Sequence, residues 1–577
     1  MNAGQYFESN LPSTTRNLFF QTWPGWVWSR HGHHKLYAEH RYLADMLPVT
    51  STFAGRLSEA EAIYDGPAGN LVGISTFSGS AGSSTPQHAV LLGMSGAGKS
   101  VSVCDLLTQT EGYFDYTVII EEGLSYGIYT TTVEEGARPI IIQPDGDIVI
   151  NYLDTGGLPL TPDHLSSATA LVARMLGTAN AGEDRELLHR AQIAKYLGIL
   201  YDDIFQDWSK RHESDLLDIA RHAMALQKYR QECMPPGSTT LDTFQAEPGP
   251  TLKRGIGTVR DGSGPIDLGG GNERVAEDEE WRSRYLAQFS DDEALRFLKD
   301  ARTAREVRNL AFAYFKPEEF PTHRMLQELM MLEPLAAERQ EMAQMATLLL
   351  PWCRDGSYGR LFDGTTNLSL TGKIAHFELG YIPDSAKELK SAAGFLITNH
   401  ARKHIMTLPR GRRKRLVYEE VARFLDVPGG QEIVQESYAQ LRKFNCWNIA
   451  IVQQYARFKA SRIRSAVFGN SRQFFIMRQN DRADLDDMAG DIALPDVTRN
   501  LIMNYALPDH QTGDVKYAPF TYFHTDSPRN LCGTVHNIAS PEMLYCSASG
   551  GEHFDRRARE LREAPSVLEG IIQHAKS

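Results

Sequence analysis

The chain has 577 residues, enough for several domains, and its 42% hydrophobic and 23% charged residues are those of an ordinary globular protein. No run approaches the ~20 apolar residues of a membrane-spanning helix, and a net charge of -12 opposes the long-range attraction that a nucleic-acid backbone exploits. The six cysteines, Cys104, Cys233, Cys353, Cys446, Cys532 and Cys546, are scattered without a C-x-x-C pair, which argues against a zinc site or a disulfide framework and favours a reducing compartment.

Residues 1–85 read as a lead-in segment: Pro and Gly break the pattern, and short apolar runs from Ala62 to Phe77 predict strands feeding a core. Trp23, Trp26 and Trp28 are not part of a secretory signal, because no basic stretch precedes an apolar one. His31, His33, His34 and His40 lack Cys or carboxylate partners in register and read as a solvated cluster rather than a metal site. From His88 the string HAVLLGMSGAGKSVSVCDLL predicts strand, glycine loop and helix. Buried-type strands follow at Tyr116 to Ile120 and Arg138 to Gln143, so residues 86–160 form the first part of an α/β core.

Residues 161–350 carry helical spacing almost throughout and predict an inserted helical module. Within it the stretch near 235–275, with Pro235-Pro-Gly and the glycine-rich run from Pro248 to Gly271, predicts a mobile loop. The β signal returns over 351–540 as NLSLTG, KIAHFELG, RLVYEE, NIAIVQQ and RQFFIMRQ, alternating with helices, which predicts a mostly parallel sheet covered on both faces. Residues 541–577 read as a helical C-terminal tail.

Gly93, Met94, Ser95, Gly96, Ala97, Gly98, Lys99 and Ser100 fit the phosphate-loop pattern and sit directly between an apolar strand and a helix, with Val101 next along. Glycines let backbone N–H groups wrap phosphates at a helix N-terminus; Lys99 neutralises β/γ charge and the Ser100 hydroxyl reaches Mg²⁺. This pattern predicts ATP as ligand with Mg²⁺ as its metal. Hydrolysis needs carboxylates at the end of another core strand, and Glu419 (metal shell) with Glu420 (general base) after Arg415-Leu-Val-Tyr are the candidates. An acidic pair opening the helix EEVARFL is the plainer alternative.

Gln453 and Gln454, at the end of NIAIV, would place an amide beside the γ-phosphate if that strand neighbours the Glu419 strand; a loop-capping role is the alternative. Arg442 could supply a guanidinium to a transferring phosphoryl within the subunit or across an interface, or be an ordinary solvated arginine. The basic run Arg410 to Arg415, with no interleaved aromatics, reads as a solvated loop.

These motifs, together with DMLPVTSTFAG at Asp45 to Gly55, FPTHRMLQEL, the helix ending in Trp352, the string Gly356-Ser-Tyr-Gly-Arg-Leu-Phe-Asp-Gly364 and FELG, resemble the large ATPase of conjugative type IV secretion systems (TrbE and TraC type), within the HerA/FtsK-like group of hexameric motors. The resemblance implies a RecA-like P-loop core carrying a large all-helical insertion, and a hexamer at the cytoplasmic face of the inner membrane. Such a hexamer would be peripherally associated with other secretion components and would power pilus assembly or substrate transfer. DNA binding is possible in such a motor but not favoured by the charge. Other readings are a DNA-pumping coupling ATPase of the TraG/TraD kind and a hydrolysis-poor assembly scaffold. The family has Asp where Glu419 stands and Thr-Gln where Gln453-Gln454 stands; VIIEEGLSYG and Ile150-Asn-Tyr are divergent counterparts of its later motifs, and residues 1 to about 55 match the end of its larger N-terminal domain.

Overall fold

The computed structural model describes residues 53–78, 85–177, 183–234, 236–239, 243–244, 284–420, 430–461, 463–512, 515–525, 531–547 and 551–575. The sequence-predicted mobile loop from Pro248 to Gly271, the histidine and tryptophan clusters and most of the EEVARFL helix lie outside these residues.

Thirteen strands occur among them: β1 (Ala62–Asp65), β2 (Leu71–Ile74), β3 (Phe77–Ser78), β4 (Thr85–Pro86), β5 (Ala89–Leu92), β6 (Tyr116–Glu121), β7 (Ile140–Ile141), β8 (Ile374–Glu378), β9 (Lys414–Glu419), β10 (Cys446–Val452), β11 (Gln473–Met477), β12 (Ala518–His524) and β13 (Leu531–Asn537). Eleven of them form one sheet in the order β2-β1-β13-β12-β11-β5-β10-β9-β6-β8-β7. From β11 to β7 every pairing is parallel; β12, β13, β1 and β2 extend the sheet antiparallel. The mostly parallel sheet therefore stands. The strands near Ala62 to Phe77, expected only to lead in, include two members of the sheet itself.

Strands buried on both faces carry β-branched and aromatic residues at successive positions, and alternate residues separate into two cores. One face packs Ala89, Leu91, Val417 and Ile451 against the loop-following helix Lys99–Gln109. The other packs Val90, Leu92, Tyr418 and Val452 toward helices Lys387–Thr407 and Gly430–Gln440, and its core runs without a break into the insert. The insert is helical as expected, built from Pro162–Met175, Glu183–Arg211, Glu213–Cys233, Asp291–Lys299, Ala301–Ala311, His323–Met331 and Ala336–Leu349. It enters after β7 and returns before β8, at the end of the sheet remote from β5. The tail is also helical (Pro541–Ser547, Gly551–Glu563, Val567–His574) and packs on the loop-following helix and on Gly127–Val133.

Two expectations are corrected. NLSLTG forms no strand: Asn367 turns its amide to Val149 N–H (2.8 Å) and to the Asp147 carbonyl (2.8 Å), binding the run to another loop. The basic run is not a solvated loop either. Lys414 and Arg415 belong to β9 and are fully buried, Arg413 lies over Phe77 and pairs with Glu61 at 2.7 Å, and Arg410 covers Phe444. Long cationic stems that close the end of a sheet bury their carbon and leave their nitrogens to hydrogen-bond.

Candidate nucleotide site

β5 delivers the glycine loop. Gly93 N–H donates to the Val452 carbonyl at 3.2 Å and Met94 N–H to the Arg478 carbonyl at 3.0 Å, which ties the loop to the strands on both sides. A side chain at Gly93 would meet Met477 Cβ at 2.9 Å, and Gly98, at φ +90°, closes against Ala518. Both positions need glycine, for close approach and for left-handed backbone. The helix starts at Lys99, with Ser95 and Gly96 exposed above it, Ala97 buried, and Ser100 and Val101 half-buried in its first turn. Lys99 is only 6% exposed and its Nζ donates to the Met94 carbonyl at 3.0 Å. Burial lowers its pKa, opposed by the nearby Glu420 and Glu419.

Register brings the acids to this loop. β10 lies between β5 and β9, with Val452 opposite Leu92 and Ile451 opposite Glu419, so the carboxyl ends of three neighbouring strands share one edge. The condition attached to Gln453 and Gln454 is thus met. Gln453 N–H donates to Glu420 Oε1 at 2.8 Å. Gln454 is exposed, and its side chain does not cap the helix Tyr455–Ala460 that follows. Glu420 has φ +50°, a conformation that costs about 1–3 kcal/mol in a non-glycine residue and concentrates at functional sites. Arg442 does not join them. It is exposed in the turn Leu441–Phe444 that opens β10 at Cys446, at the opposite end of the strand.

Glu419 is buried beside Glu121, the last residue of β6: β6 and β9 run parallel with Ile120 opposite Tyr418, so the next residues along the two strands, Glu121 and Glu419, are neighbours. Burial first, then the Glu121 charge, pushes Glu419 well above the usual carboxylate range; burial also raises Glu121, to about 7. His376 Nε2 approaches Glu121 Oε1 at 2.7 Å, outside hydrogen-bond alignment, and burial takes its pKa down to about 4.

Donor atoms of Glu121, His376 and Glu378 lie within 4.8 Å of one another, a spacing that suits a metal. The donor set argues otherwise. Glu378 accepts N–H bonds from Gly123, Leu124 and Gly380, and Glu121 accepts them from Ser125 and Tyr126, so both carboxylates are already engaged by their own turns. Glu419 differs: its Oε2 is buried without a hydrogen-bond partner, as an acceptor for metal-bound water would be. With the Ser100 hydroxyl, the residues present fit Mg²⁺ at the phosphate loop.

Sequence reading missed Glu121, His376 and Arg478. An acid closing the buried strand YTVII was the available signal for Glu121; the other two emerge only from strand order.

A loop strand flanked in the order β11-β5-β10-β9-β6, with the acids two strands away, defines a RecA-like P-loop nucleotide-binding fold. No protein-family model matches the chain and no curated protein matches it. Among solved structures it is similar to VirB4 of Thermoanaerobacter pseudethanolicus, at 15% identity and a TM-score of 0.53, over 84% of this chain and 98% of that one. The plasmid coupling protein TrwB is matched in complex with ADP and Mg²⁺ (11% identity, TM-score 0.36, 85% of this chain and 95% of that chain). It is matched again with a non-hydrolysable ATP analogue (12%, 0.38, 78% and 85%).

Proposed function

We propose that the chain is the ATP-hydrolysing motor of a conjugative type IV secretion system. The observation that carries this reading is the placement of the phosphate loop, the Gln453 strand and Glu419-Glu420 at one edge of a sheet. The likeness to VirB4 over 84% of the chain supports the same choice of fold.

In this reading the loop N–H groups and Lys99 hold the β- and γ-phosphates, and Ser100 with Glu419 orders the metal shell. Mg²⁺, when bound, neutralises developing phosphate charge. Glu420, held by Gln453 N–H, faces the γ-phosphate side and takes the proton of the attacking water. Gln454, exposed at the strand end, senses loss of that phosphate. The working form is a hexamer on the cytoplasmic face of the inner membrane, bound to other secretion components. Among the described residues no helix is long and apolar enough to cross a membrane.

ATP turnover of the purified chain with and without duplex DNA is the test. Turnover indifferent to DNA fits a secretion motor, strong stimulation by DNA replaces it with a DNA pump, and bound ATP without turnover leaves a scaffold.

A further inference from the structure

Glu121 has no part in the phosphate or base roles, yet it is the most constrained carboxylate of the site. It is fully buried. From behind, Tyr126 N–H donates to Oε1 at 3.0 Å and Ser125 N–H to Oε2 at 2.9 Å. From the side, His376 places Nε2 2.7 Å from Oε1. Thr130 Oγ1 and His376 Nδ1 lie 2.7 Å apart in hydrogen-bond contact, which fixes the ring. From the front comes Glu419 of β9, the next residue in register on the neighbouring parallel strand.

Glu378, one strand further out, shows what a purely structural carboxylate looks like here. It gathers N–H groups of the 123–124 turn and of Gly380. Glu121 already satisfies its own turn in the same way, so anchoring that turn gives no reason to bring a second carboxyl against it. Two carboxyls in one buried site cost stability, and such costs persist where a site needs them.

We infer that Glu121 is a positioning residue for Glu419: it stands against the carboxyl proposed for the metal shell, whose Oε2 is buried without a hydrogen-bond partner, and the packing of Thr130 and His376 in turn confines Glu121. This inference rests on the nucleotide reading above. Glu419 has one more rotatable bond than aspartate, and a side chain that must hold a metal-bound water gains from being locked by its neighbours.

The experiment compares the full chain with Glu121→Gln, Glu419→Gln and the double variant. Affinity for fluorescent mant-ATP is measured in Mg²⁺ and in EDTA, alongside turnover and the thermal midpoint. Glu121→Gln is expected to lower kcat about 10- to 100-fold and to shrink the gain in affinity that Mg²⁺ provides, with affinity in EDTA unchanged. The double variant should be no worse than Glu419→Gln, because Glu121 acts through Glu419. Losses that multiply in the double variant, or affinity in EDTA that falls together with the thermal midpoint, would mark a merely structural role and overturn the inference. Should Glu121→Gln fail to fold, Thr130→Val leaves both carboxyls and the Ser125 and Tyr126 bonds in place. It should then shift kcat and the Mg²⁺ gain in the same direction, and parental values would overturn the inference. A parent chain that binds no mant-ATP sinks the nucleotide reading and this inference with it; a binding parent with unaltered variants sinks the inference alone.

Discussion

The two ends of the central sheet are built on opposite rules. At the end where the parallel strands begin, the buried donors of β9, of β10 and of His88 are matched to partners, while Gln473 Oε1 at the start of β11 is not. Arg415 donates to Thr117, Thr110, the Leu107 carbonyl, Glu111 and Tyr129. Lys414 reaches the Phe444 carbonyl at 2.8 Å, and Trp447 Nε1 the Gln87 carbonyl at 2.6 Å. His88 Nδ1 accepts from Asn448 N–H, so its Nε2–H donates to the Tyr438 carbonyl. Where the strands finish, Glu419 Oε2 and the Tyr126 hydroxyl are buried without partners, like charges are crowded together, and Leu124 and Glu420 both have positive φ. A satisfied end contributes stability, while an end with unmet acceptors and strained backbone is prepared for a ligand. β9 joins the two, with Lys414 and Arg415 at its start and Glu419 at its finish.

If this contrast is real, substitutions at the finishing end should abolish chemistry and spare the fold. Lys99→Ala is expected to have the largest effect, removing productive ATP binding because phosphate charge is left uncompensated in the loop. Turnover and nucleotide titration check it, and a variant that matches the parent would dissolve the contrast. Glu420→Gln should keep binding and lose about 10²- to 10⁴-fold in kcat, since the amide is nearly isosteric but takes no proton. Parental turnover would move the base to Glu419.

At the starting end the same kind of change should do the reverse. Arg415→Ala strands Thr110, Thr117 and the Leu107 carbonyl and should cost about 3–5 kcal/mol of stability by urea unfolding, with nucleotide affinity of the folded fraction unchanged. A smaller effect belongs to its neighbour. Burial lowers Lys414 from 10.5 to about 8, so between those values the unfolded chain binds more protons and stability rises with pH. Lys414→Met should flatten that rise, and an unaltered slope between pH 8 and 10 would mean that Lys414 titrates alike in both states.

How much of this was legible depended on the range of the interaction. The phosphate loop is a local pattern in which strand, glycines and helix start stand side by side in sequence, and it could be read residue by residue. Glu419 and Glu420 could be read too, because an acidic pair closes an apolar strand. Glu121 and His376 could not be paired, since their meeting depends on β6 and β8 being neighbours in register. The basic run misled because charge density suggested solvent, whereas its later members form the start of a central strand. NLSLTG alternates as a strand does, but the Asn367 amide bonds bind it to residues far away in sequence.

Arg442 tests the contrast from its weakest side. It belongs to the starting end, while the chemistry proposed for it belongs to the finishing end. β10 separates the two by seven residues, Cys446 to Val452, and a strand of that length spans about 20 Å at ~3.3 Å per residue. No arginine reaches that far, so Arg442 can complete only the site of another subunit. In the single chain Arg442→Ala should therefore change neither stability nor nucleotide affinity, the smallest effect of the series. In an assembled ring it should lower turnover, because a guanidinium supplied across an interface stabilises charge on the transferring phosphoryl. Mixing Arg442→Ala with Lys99→Ala chains decides the matter. A mixed ring contains interfaces where an intact loop meets an intact arginine, so activity should return above that of either variant alone. Mixed rings that form and stay inactive would leave Arg442 a solvated turn residue and the starting end wholly structural.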